Sequence, residues 1–262
     1  MQTPKDFLNV VQNAGLPDWR YFETIDSTNL NALQWLNDDA RDGSIVFANH
    51  QSAGRGRSER QWVTNPHSSI AISIVLRLNE TEQQNLQLFS ALAGVALAIT
   101  LQKNYSIDAA IKWPNDVLID KQKTAGILTE AAWNGDQLDG IVVGVGINIL
   151  PDSIPPVDKL QFPATCIQQH TTKIVDRFKF LGQFLQSFFE WREKVSLPVF
   201  INQWEKLLAF RDETVYIKET DIVIFSGILS GIESNGDLRI ISEEGIIKKF
   251  TVGDVHLRPA SS

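Results

Sequence analysis

The sequence predicts an α+β fold in two parts: a larger domain built on a mixed, largely antiparallel sheet, and a small C-terminal β-barrel. In the larger part, strand-length runs rich in β-branched residues alternate with segments of helical periodicity. The strand candidates after residue 109 are joined by very short connections, which favour antiparallel pairing over a doubly wound parallel sheet. Beyond about residue 212 only short strands and turns follow. We therefore place the two domains at residues 1–210 and 211–262.

Helical spacing of apolar residues recurs along the first part of the chain. The helix candidates are residues 5–14, a segment capped by Asp26 or Ser27, a segment capped by Thr81, residues 174–193, and the segment around Phe200, Trp204 and Leu207. The helix after Thr81 carries Leu88, Leu92, Val95 and Ile99 at spacings of three and four residues, so we expect it to be the central buried helix. Its apolar stretch, Leu86 to Leu101, is interrupted by polar residues and is shorter than a membrane span needs.

Strand candidates are bounded by turn residues such as Pro114-Asn115-Asp116 and Asn134-Gly135-Asp136. In the first domain they are Ser44–Gln51, Ser69–Leu78, Ala109–Trp113, Thr124–Trp133 and Leu138–Ile149. In the second they are Thr214–Lys218, Ile222–Ile232, Leu238–Ser242 and Ile246–Thr251. The proline-rich segment from Pro151 to Pro163 is expected to be a loop.

Composition excludes several classes of protein. The 262 residues carry a formal net charge of −7, which argues against binding duplex DNA by bulk electrostatics. The single cysteine, Cys166, excludes an internal disulfide and a cysteine-rich zinc site. The first twenty residues lack the basic start and apolar core of a signal peptide, so we expect a cytoplasmic protein without a membrane partner.

A glycine- and arginine-rich segment runs from Gln51 to Trp62, with Gly54, Arg55, Gly56 and Arg57 in its middle and Arg60 beyond. Glycine lets the backbone approach a ligand closely, and arginine supplies a fixed charge suited to phosphate or carboxylate. A solvated basic loop, or one that contacts RNA, has the same composition. From these residues alone, an anion site and a solvated loop are equally good interpretations.

A second charged segment reads Lys112-Trp113-Pro114-Asn115-Asp116 and is followed by Lys123 on the next strand. A hairpin would bring both lysines and the aspartate to one end of the sheet. Two ammonium groups and a carboxylate there suit a magnesium nucleotide. A plain surface turn with solvated charges is the alternative.

A third segment, Gly144-Val145-Gly146-Ile147-Asn148, places two small residues near the end of an apolar strand. Such residues can admit a flat ligand against the backbone, although packing glycines are the commoner explanation. It is not a dinucleotide fingerprint, because no third glycine and no helix follow. The sequence also contains no GxxxxGK[ST], HExxH or GxSxG motif.

Taken in order, these segments resemble those of the biotin–protein ligases, and the resemblance covers nearly the whole chain. The matching segments are Asp26-Ser27-Thr28-Asn29, Gln51…Gly54-Arg55-Gly56-Arg57…Trp62, Lys112-Trp113-Pro114-Asn115-Asp116, Lys123…Ala125-Gly126-Ile127-Leu128 and Gly144-Val145-Gly146-Ile147-Asn148. Any one segment is weak evidence, whereas five in register are specific.

The resemblance implies a fold and a reaction. The expected fold is an α+β catalytic domain followed by an SH3-like barrel. The expected enzyme is an ATP-dependent biotin–[acetyl-CoA-carboxylase] ligase. It joins biotin and MgATP into biotinyl-5′-AMP and pyrophosphate, then transfers biotin to a lysine of a biotin carboxyl carrier domain.

The resemblance also implies roles for individual residues. Expected at the reaction centre are Lys123, Arg55 and Arg57. Expected to bind biotin are Ser27, Thr28, Asn29, Gln51, Gly54, Arg55, Gly56, Arg57, Lys123 and Gly126. Expected to bind the nucleotide are Arg57, Arg60, Trp62, Lys112, Asn115, Gly144, Gly146 and Asn148. Asp116 is expected to hold magnesium.

Two departures from the family pattern bear on these expectations. Glu59 stands where the family usually has glycine. Only about twenty-five residues precede Ser27, too few for the helix-turn-helix module of family members that repress transcription, so no DNA partner is expected.

Two other functions remain open from the sequence. A lipoate–protein ligase would share the fold and the adenylation chemistry, and a non-catalytic biotin-sensing or RNA-binding module would use the arginine loop for recognition alone. A homodimer paired through edge strands of the main sheet is also compatible with the pattern.

Overall fold

A computed structural model describes residues 3–58, 60–156, 160, 162–219, 222–251 and 255–259. Six α-helices occur among them: α1 (Lys5–Asn13), α2 (Thr28–Asp38), α3 (Glu80–Gln83), α4 (Phe89–Tyr105), α5 (Arg177–Arg192) and α6 (Pro198–Lys206). Short 3-10 turns cover Leu86–Leu88, Pro151–Ser153 and Ile167–His170.

Seven strands form the main sheet: β1 (Trp19–Ile25), β2 (Ile45–Gln51), β3 (Ser69–Leu76), β4 (Ala109–Lys112), β5 (Asp116–Ile119), β6 (Gln122–Asn134) and β7 (Gln137–Asn148). Their order across the sheet is β1-β2-β3-β7-β6-β5-β4. Only β1 and β2 pair in parallel, because α2 connects them as a crossover; the other pairs are antiparallel. The expected mixed, mostly antiparallel α+β sheet is thus confirmed.

Helices cover the two faces of this sheet unequally. On one face α1, α4 and α5 enclose the large core, in which α4 is buried almost throughout. On the other face α2 alone covers a smaller cluster that includes Trp35, Leu36 and Val142. The N-terminus of α2 therefore lies over the middle of the sheet, where it can place side chains at a binding site.

Five further strands form a second, antiparallel sheet: β8 (Thr214–Glu219), β9 (Ile222–Ile232), β10 (Leu238–Ile241), β11 (Ile247–Phe250) and β12 (Val255–Pro259). This sheet is joined to the first domain by a buried hydrogen bond and a half-buried ion pair. The indole Nε1 of Trp113 donates to the carbonyl oxygen of Gly236 at 3.2 Å. Arg239 also forms an ion pair with Glu205 of α6 at 3.5 Å.

Three strands were missed from the sequence, and each has a physical reason. Strand β1 is a half-exposed edge strand whose mixed polar sequence shows no alternation, and its parallel partner is distant in sequence. Strand β5 is only four residues long and β12 only five, too short to show a clear alternation. Sequence periodicity detects long, regularly patterned elements better than these.

Two details of the helices also differ from expectation. Thr81 is not a helix cap, because Asn79 forms a capping box with Glu82 and α3 ends before α4 begins. The apolar segment Leu86–Tyr105 has 20 residues and is by length and composition long enough to cross a membrane, contrary to the expectation from Leu86–Leu101. However, 72% of its most apolar window is buried inside the protein, as in a core helix.

Candidate active site

A cavity of about 370 Å³ opens at the end of the main sheet where the motif segments converge. Its walls come from the start of α2, the segment after β2, the turn between β4 and β5, strands β6 and β7, and the C-terminal strand β12. Residues far apart in the chain therefore meet in one concave site, as is typical of a small-molecule site.

One end of the cavity is lined by the uncharged polar side chains of Thr28, Asn29 and Gln51, and Ser73 contacts them from beneath; we call these four residues the neutral end. Gln51 Oε1 lies 2.8 Å from the backbone nitrogen of Thr28 and 3.0 Å from its hydroxyl. Ser73 Oγ lies 2.8 Å from Thr28 Oγ1 and 2.6 Å from Asn29 Oδ1. All four side chains are buried, so the neutral end is a fixed hydrogen-bonding surface.

Sheet register explains how Asn29 reaches its partners. Ser73, Gly144 and Leu128 stand side by side on strands β3, β7 and β6. The side chain of Asn29 lies across Gly144 so closely that a Cβ there would be 2.0 Å from Asn29 Oδ1. Gly144 is therefore required to make room for a protein side chain.

The arginine-rich segment folds into a narrow loop rather than an open coil. The nitrogen of Gly56 donates to the carbonyl oxygen of Arg60 at 2.7 Å, and the nitrogen of Trp62 donates to Gly54 at 2.9 Å. A Cβ at Gly54 would lie 2.3 Å from the Trp62 carbonyl oxygen, so only glycine allows this closure. The loop is tied to the sheet where Arg55 pairs with Glu130 at 3.1 Å.

Trp62 packs against the floor of the cavity. A Cβ at Gly146 would lie 2.2 Å from the indole, and one at Gly126 would lie 3.2 Å from it. The indole Nε1 of Trp62 and Oδ1 of Asn148 are both buried without a hydrogen-bond partner among the described residues. A buried donor and a buried acceptor at one cavity indicate a ligand that satisfies them.

At the other end of the cavity a buried carboxylate lies between two ammonium groups; we call Lys112, Asp116, Lys123 and Arg258 the charged end. Asp116 Oδ1 lies 2.6 Å from Lys123 Nζ, and its Oδ2 lies 3.6 Å from Lys112 Nζ. The pairing of Lys112 with Asp116 across the β4–β5 hairpin produces this cluster. The predicted meeting of these three side chains is confirmed.

Burial and charge act in opposite directions on this cluster. Burial alone would raise the pKa of Asp116, but Lys123 and Lys112 outweigh it and hold that pKa below the usual value. Burial, only partly offset by Asp116, lowers the pKa of Lys112 to about 8. Two lysines contact one carboxylate, so this cluster has excess positive charge and suits an anion.

The residues do not fit a magnesium ion held by the protein. Both carboxylate oxygens of Asp116 are already paired with lysines. The described residues also contain no group of three or more His, Cys, Asp or Glu side chains able to hold a metal. The expectation that Asp116 binds magnesium is therefore not supported, and Mg²⁺ is best treated as part of the substrate MgATP.

Nearly all the predicted site residues line the cavity. These are Ser27, Thr28, Asn29, Gln51, Arg55, Gly56, Arg57, Arg60, Trp62, Lys112, Asn115, Asp116, Lys123, Gly126, Gly144, Gly146 and Asn148. Ser27 occupies the N-cap position of α2, but its side chain makes no capping hydrogen bond. Gly54 is the exception, since it shapes the loop without lining the cavity. Glu59 lies outside the described residues.

Sequence reasoning missed several residues of the site. Ser73 and Glu130 support the neutral end and the arginine loop from beneath. The centre of the Phe162 ring lies 5.1 Å from Lys112 Nζ. Arg258, from strand β12 of the second sheet, also lines the cavity. Ser73 had a detectable signal, a serine within the otherwise apolar run Ile70–Leu76, whereas the other three had none.

Comparison with known proteins agrees with this geometry. Residues 21–148 match the model of the biotin/lipoate A/B protein ligase family. A bifunctional ligase/repressor BirA from Bacillus spizizenii is 33% identical over 241 residues, which cover 90% of this chain and 73% of that protein. A biotin–[acetyl-CoA-carboxylase] ligase from Paracoccus denitrificans is 34% identical over 220 residues, covering 81% of this chain and 90% of that protein.

Structural comparison extends over both sheets. The biotin protein ligase from Aquifex aeolicus in complex with biotin and ATP superposes with a TM-score of 0.79 at 27% identity. The match covers 94% of this chain and 100% of that one. On sequence, fold and site geometry together, the chain belongs to the biotin/lipoate A/B protein ligase family.

Proposed function

We propose that the cavity joins biotin to AMP and then transfers biotin to a lysine of a carrier protein. In the first step a biotin carboxylate oxygen attacks the α-phosphorus of MgATP, and the bond to the β-phosphate breaks to release pyrophosphate. In the second step a lysine amine attacks the acyl carbon, AMP leaves and the amine loses a proton. The chain is thus an ATP-dependent biotin–protein ligase.

The observation that carries this proposal is the contrast between the two ends of one cavity. Biotin has an uncharged ureido ring at one end and a carboxylate at the other. The neutral end offers fixed hydrogen bonds from Thr28 and Gln51, and the charged end offers Lys112 and Lys123. A ligand with both chemistries fits such a site when its two groups lie at opposite ends.

Lys123 is the residue we assign to the reacting atoms. Bringing a carboxylate and a triphosphate together requires cations that cancel their repulsion and the charge developing at phosphorus. Asp116 holds Lys123 at 2.6 Å and so fixes its position before the substrates bind. The loop arginines Arg55, Arg57 and Arg60 line the cavity between its ends and can stabilise the adenylate phosphate.

The neutral end also distinguishes biotin from lipoate. The dithiolane ring of lipoate has no N–H or C=O group, so it could not hydrogen-bond to Thr28 or Gln51 and would cover their remaining donor and acceptor positions with apolar atoms. That mismatch costs affinity because buried groups cannot turn to water instead. Relatives carrying biotin in their names agree with this preference.

The C-terminal sheet is proposed to close as an SH3-like barrel with its boundary at residue 211. Its five antiparallel strands and bulged pairing between β8 and β9 are compatible with closure. Leu257 and Arg258 of this sheet line the cavity, so the second domain contributes to the charged end.

The remaining proposals concern partners. The acceptor is proposed to be a biotin carboxyl carrier domain of acetyl-CoA carboxylase, and the site of action the cytoplasm. A role in DNA binding is not proposed, although relatives such as that from Bacillus spizizenii are named ligase/repressors. Strand β1 is an edge of the main sheet and is the proposed contact of a homodimer.

The proposed function is tested by trapping its intermediate. Purified protein is incubated with biotin and ATP labelled at the α-phosphate, and protein-bound label is identified by chromatography. We expect labelled biotinyl-5′-AMP, which disappears with release of AMP when a carrier domain is added. Labelled ATP or AMP as the only species would overturn the proposal.

A further inference from the structure

Beneath the cavity a chain of polar contacts connects the neutral end to the arginine loop. The chain runs from Gln51 through Thr28, Ser73 and Asn29 to Glu130 and Arg55. Its contacts measure 3.0, 2.8, 2.6, 2.8 and 3.1 Å in that order. We call this chain the relay.

We propose that Ser73 and Glu130 are positioning residues. Through the relay they hold the arginine loop in the conformation that is favoured when a ligand binds at the neutral end. This proposal rests on the function proposed above. Neither residue belongs to a recognised motif, and neither supplies a group to the reacting atoms. Both act through the residues that they hold.

The position of Glu130 makes it the junction of the relay. One of its carboxylate oxygens accepts from the Asn29 amide at 2.8 Å, and the other pairs with Arg55 at 3.1 Å. Asn29 comes from α2 and Arg55 from the glycine- and arginine-rich loop, whereas Glu130 lies on the regular strand β6. A charged acceptor on a regular strand therefore joins the first turn of α2 to the arginine loop.

Ser73 is the other fixed point, and its surroundings make its hydroxyl indispensable to the relay. It is fully buried on β3, directly across from Gly144, over which Asn29 lies. Asn29 must direct its amide nitrogen at Glu130 and at the carbonyl oxygen of Leu128, so its oxygen faces Ser73 and requires a donor.

Counting protons gives the relay two arrangements. Three oxygen–oxygen contacts link Gln51, Thr28, Ser73 and Asn29, but only Thr28 and Ser73 carry hydroxyl protons. Since Ser73 donates to Asn29, the Thr28 proton goes either to Gln51 or to Ser73. A ligand N–H that donates to the Gln51 oxygen favours donation from Thr28 to Ser73, which strengthens the path toward Glu130 and Arg55.

The test uses Glu130→Gln, which keeps the size of the side chain but leaves only one acceptor oxygen for two donors. Thr129→Val is the matched control on the same strand, because the Thr129 hydroxyl is buried without a partner. Glu213→Gln, at an exposed pair with Lys121, controls for the loss of a carboxylate. Biotin binding is measured first, and then protection of the loop from trypsin, which cleaves after Arg55, Arg57 and Arg60.

For the wild type and both controls we expect biotin to bind and to protect the loop. In Glu130→Gln we expect biotin still to bind and the KM for ATP to stay unchanged. Protection of the loop from trypsin and the lifetime of the bound adenylate should both fall roughly fivefold, the size of effect expected for a partly exposed charge pair. Full protection in Glu130→Gln would overturn the relay alone. A wild type that does not bind biotin would overturn the proposed function as well.

A second variant separates positioning from a merely structural role. Ser73→Ala interrupts the relay at its fully buried serine, and urea unfolding checks that the variant is folded. If both residues act along one path, Ser73→Ala combined with Glu130→Gln reduces protection no more than the stronger single change. Fully additive losses of protection would show independent structural effects and would overturn the relay.

Discussion

The neutral and charged ends of the cavity bind by different physical means. At the neutral end Thr28, Ser73 and Gln51 are uncharged, buried and held by short contacts on regular elements. At the charged end two lysines surround Asp116, and burial disfavours the charged form of Lys112. Hydrogen bonds at the first end select a shape, whereas excess charge at the second holds and activates anions.

This difference indicates how one cavity can take two unlike substrates. A change at the neutral end should alter the use of biotin and leave ATP nearly unaffected, whereas a change at the charged end should alter the binding of ATP and the reaction of biotin's carboxylate.

Replacing Lys123 by alanine should reduce adenylate formation by about 10²–10³-fold, the usual loss for one group that stabilises charge in the transition state. Initial rates of biotinyl-5′-AMP formation at saturating substrates measure the effect. Lys121→Ala is the matched control, because Lys121 is exposed and pairs with Glu213. Near-normal adenylation in Lys123→Ala would show that Lys123 is wrongly assigned.

Replacing Thr28 by valine removes a hydroxyl from the neutral end while keeping the shape of the side chain. We expect the KM for biotin to rise roughly 10- to 50-fold, because buried partners lose a hydrogen bond. The KM for ATP should change less than about twofold if the ends act separately. Equal increases in both constants would contradict the separation of the two ends.

The charged end should respond to pH through Lys112. Its pKa is lowered to about 8, so its amine is mostly protonated at pH 7 and mostly neutral at pH 9. If the ammonium form binds the triphosphate, the KM for ATP rises about tenfold between these pH values. Lys112→Arg should remove this rise, since arginine stays charged. An identical rise in the arginine variant would assign the titration to another group.

The smallest effect is expected in the loop between the two ends. Arg57 lines the cavity and approaches Asn115 at 3.5 Å. Arg57→Ala should speed release of the adenylate about fivefold while ATP binding alone changes little, because a contact to the product affects the rate of dissociation. The rate is measured by following the release of bound labelled adenylate over time. Weaker ATP binding with an unchanged release rate would contradict the prediction.

The sequence predicted the centre of the fold better than its edges. Strands β2, β3, β6 and β7 and helix α5 are long and regularly patterned, and they appear near their expected bounds. Helix α4 is the expected buried helix, but it begins at Phe89 rather than after Thr81. The edge strand β1 was missed because its partner lies across a helical crossover. Pairings between distant segments leave no local signal in the sequence.

The same distinction applies to the site. Lys112, Asp116 and Lys123 are close in sequence, so a hairpin was enough to predict their meeting. Ser73 and Glu130 join the site only through the register of β3, β7 and β6, which no motif records. From the sequence, Gly144 and Gly146 could be either space for a flat ligand or packing glycines, and in the structure they accommodate the side chains of Asn29 and Trp62.

The most direct test of the account is ATP–pyrophosphate exchange by the purified protein with biotin, with lipoate and with neither acid. The account predicts exchange only in the presence of biotin, because both ends of the cavity must be satisfied before the α-phosphate reacts. Exchange with lipoate but not biotin would contradict the interpretation of the neutral end. Folded protein that exchanges with neither acid would contradict the proposed adenylation itself.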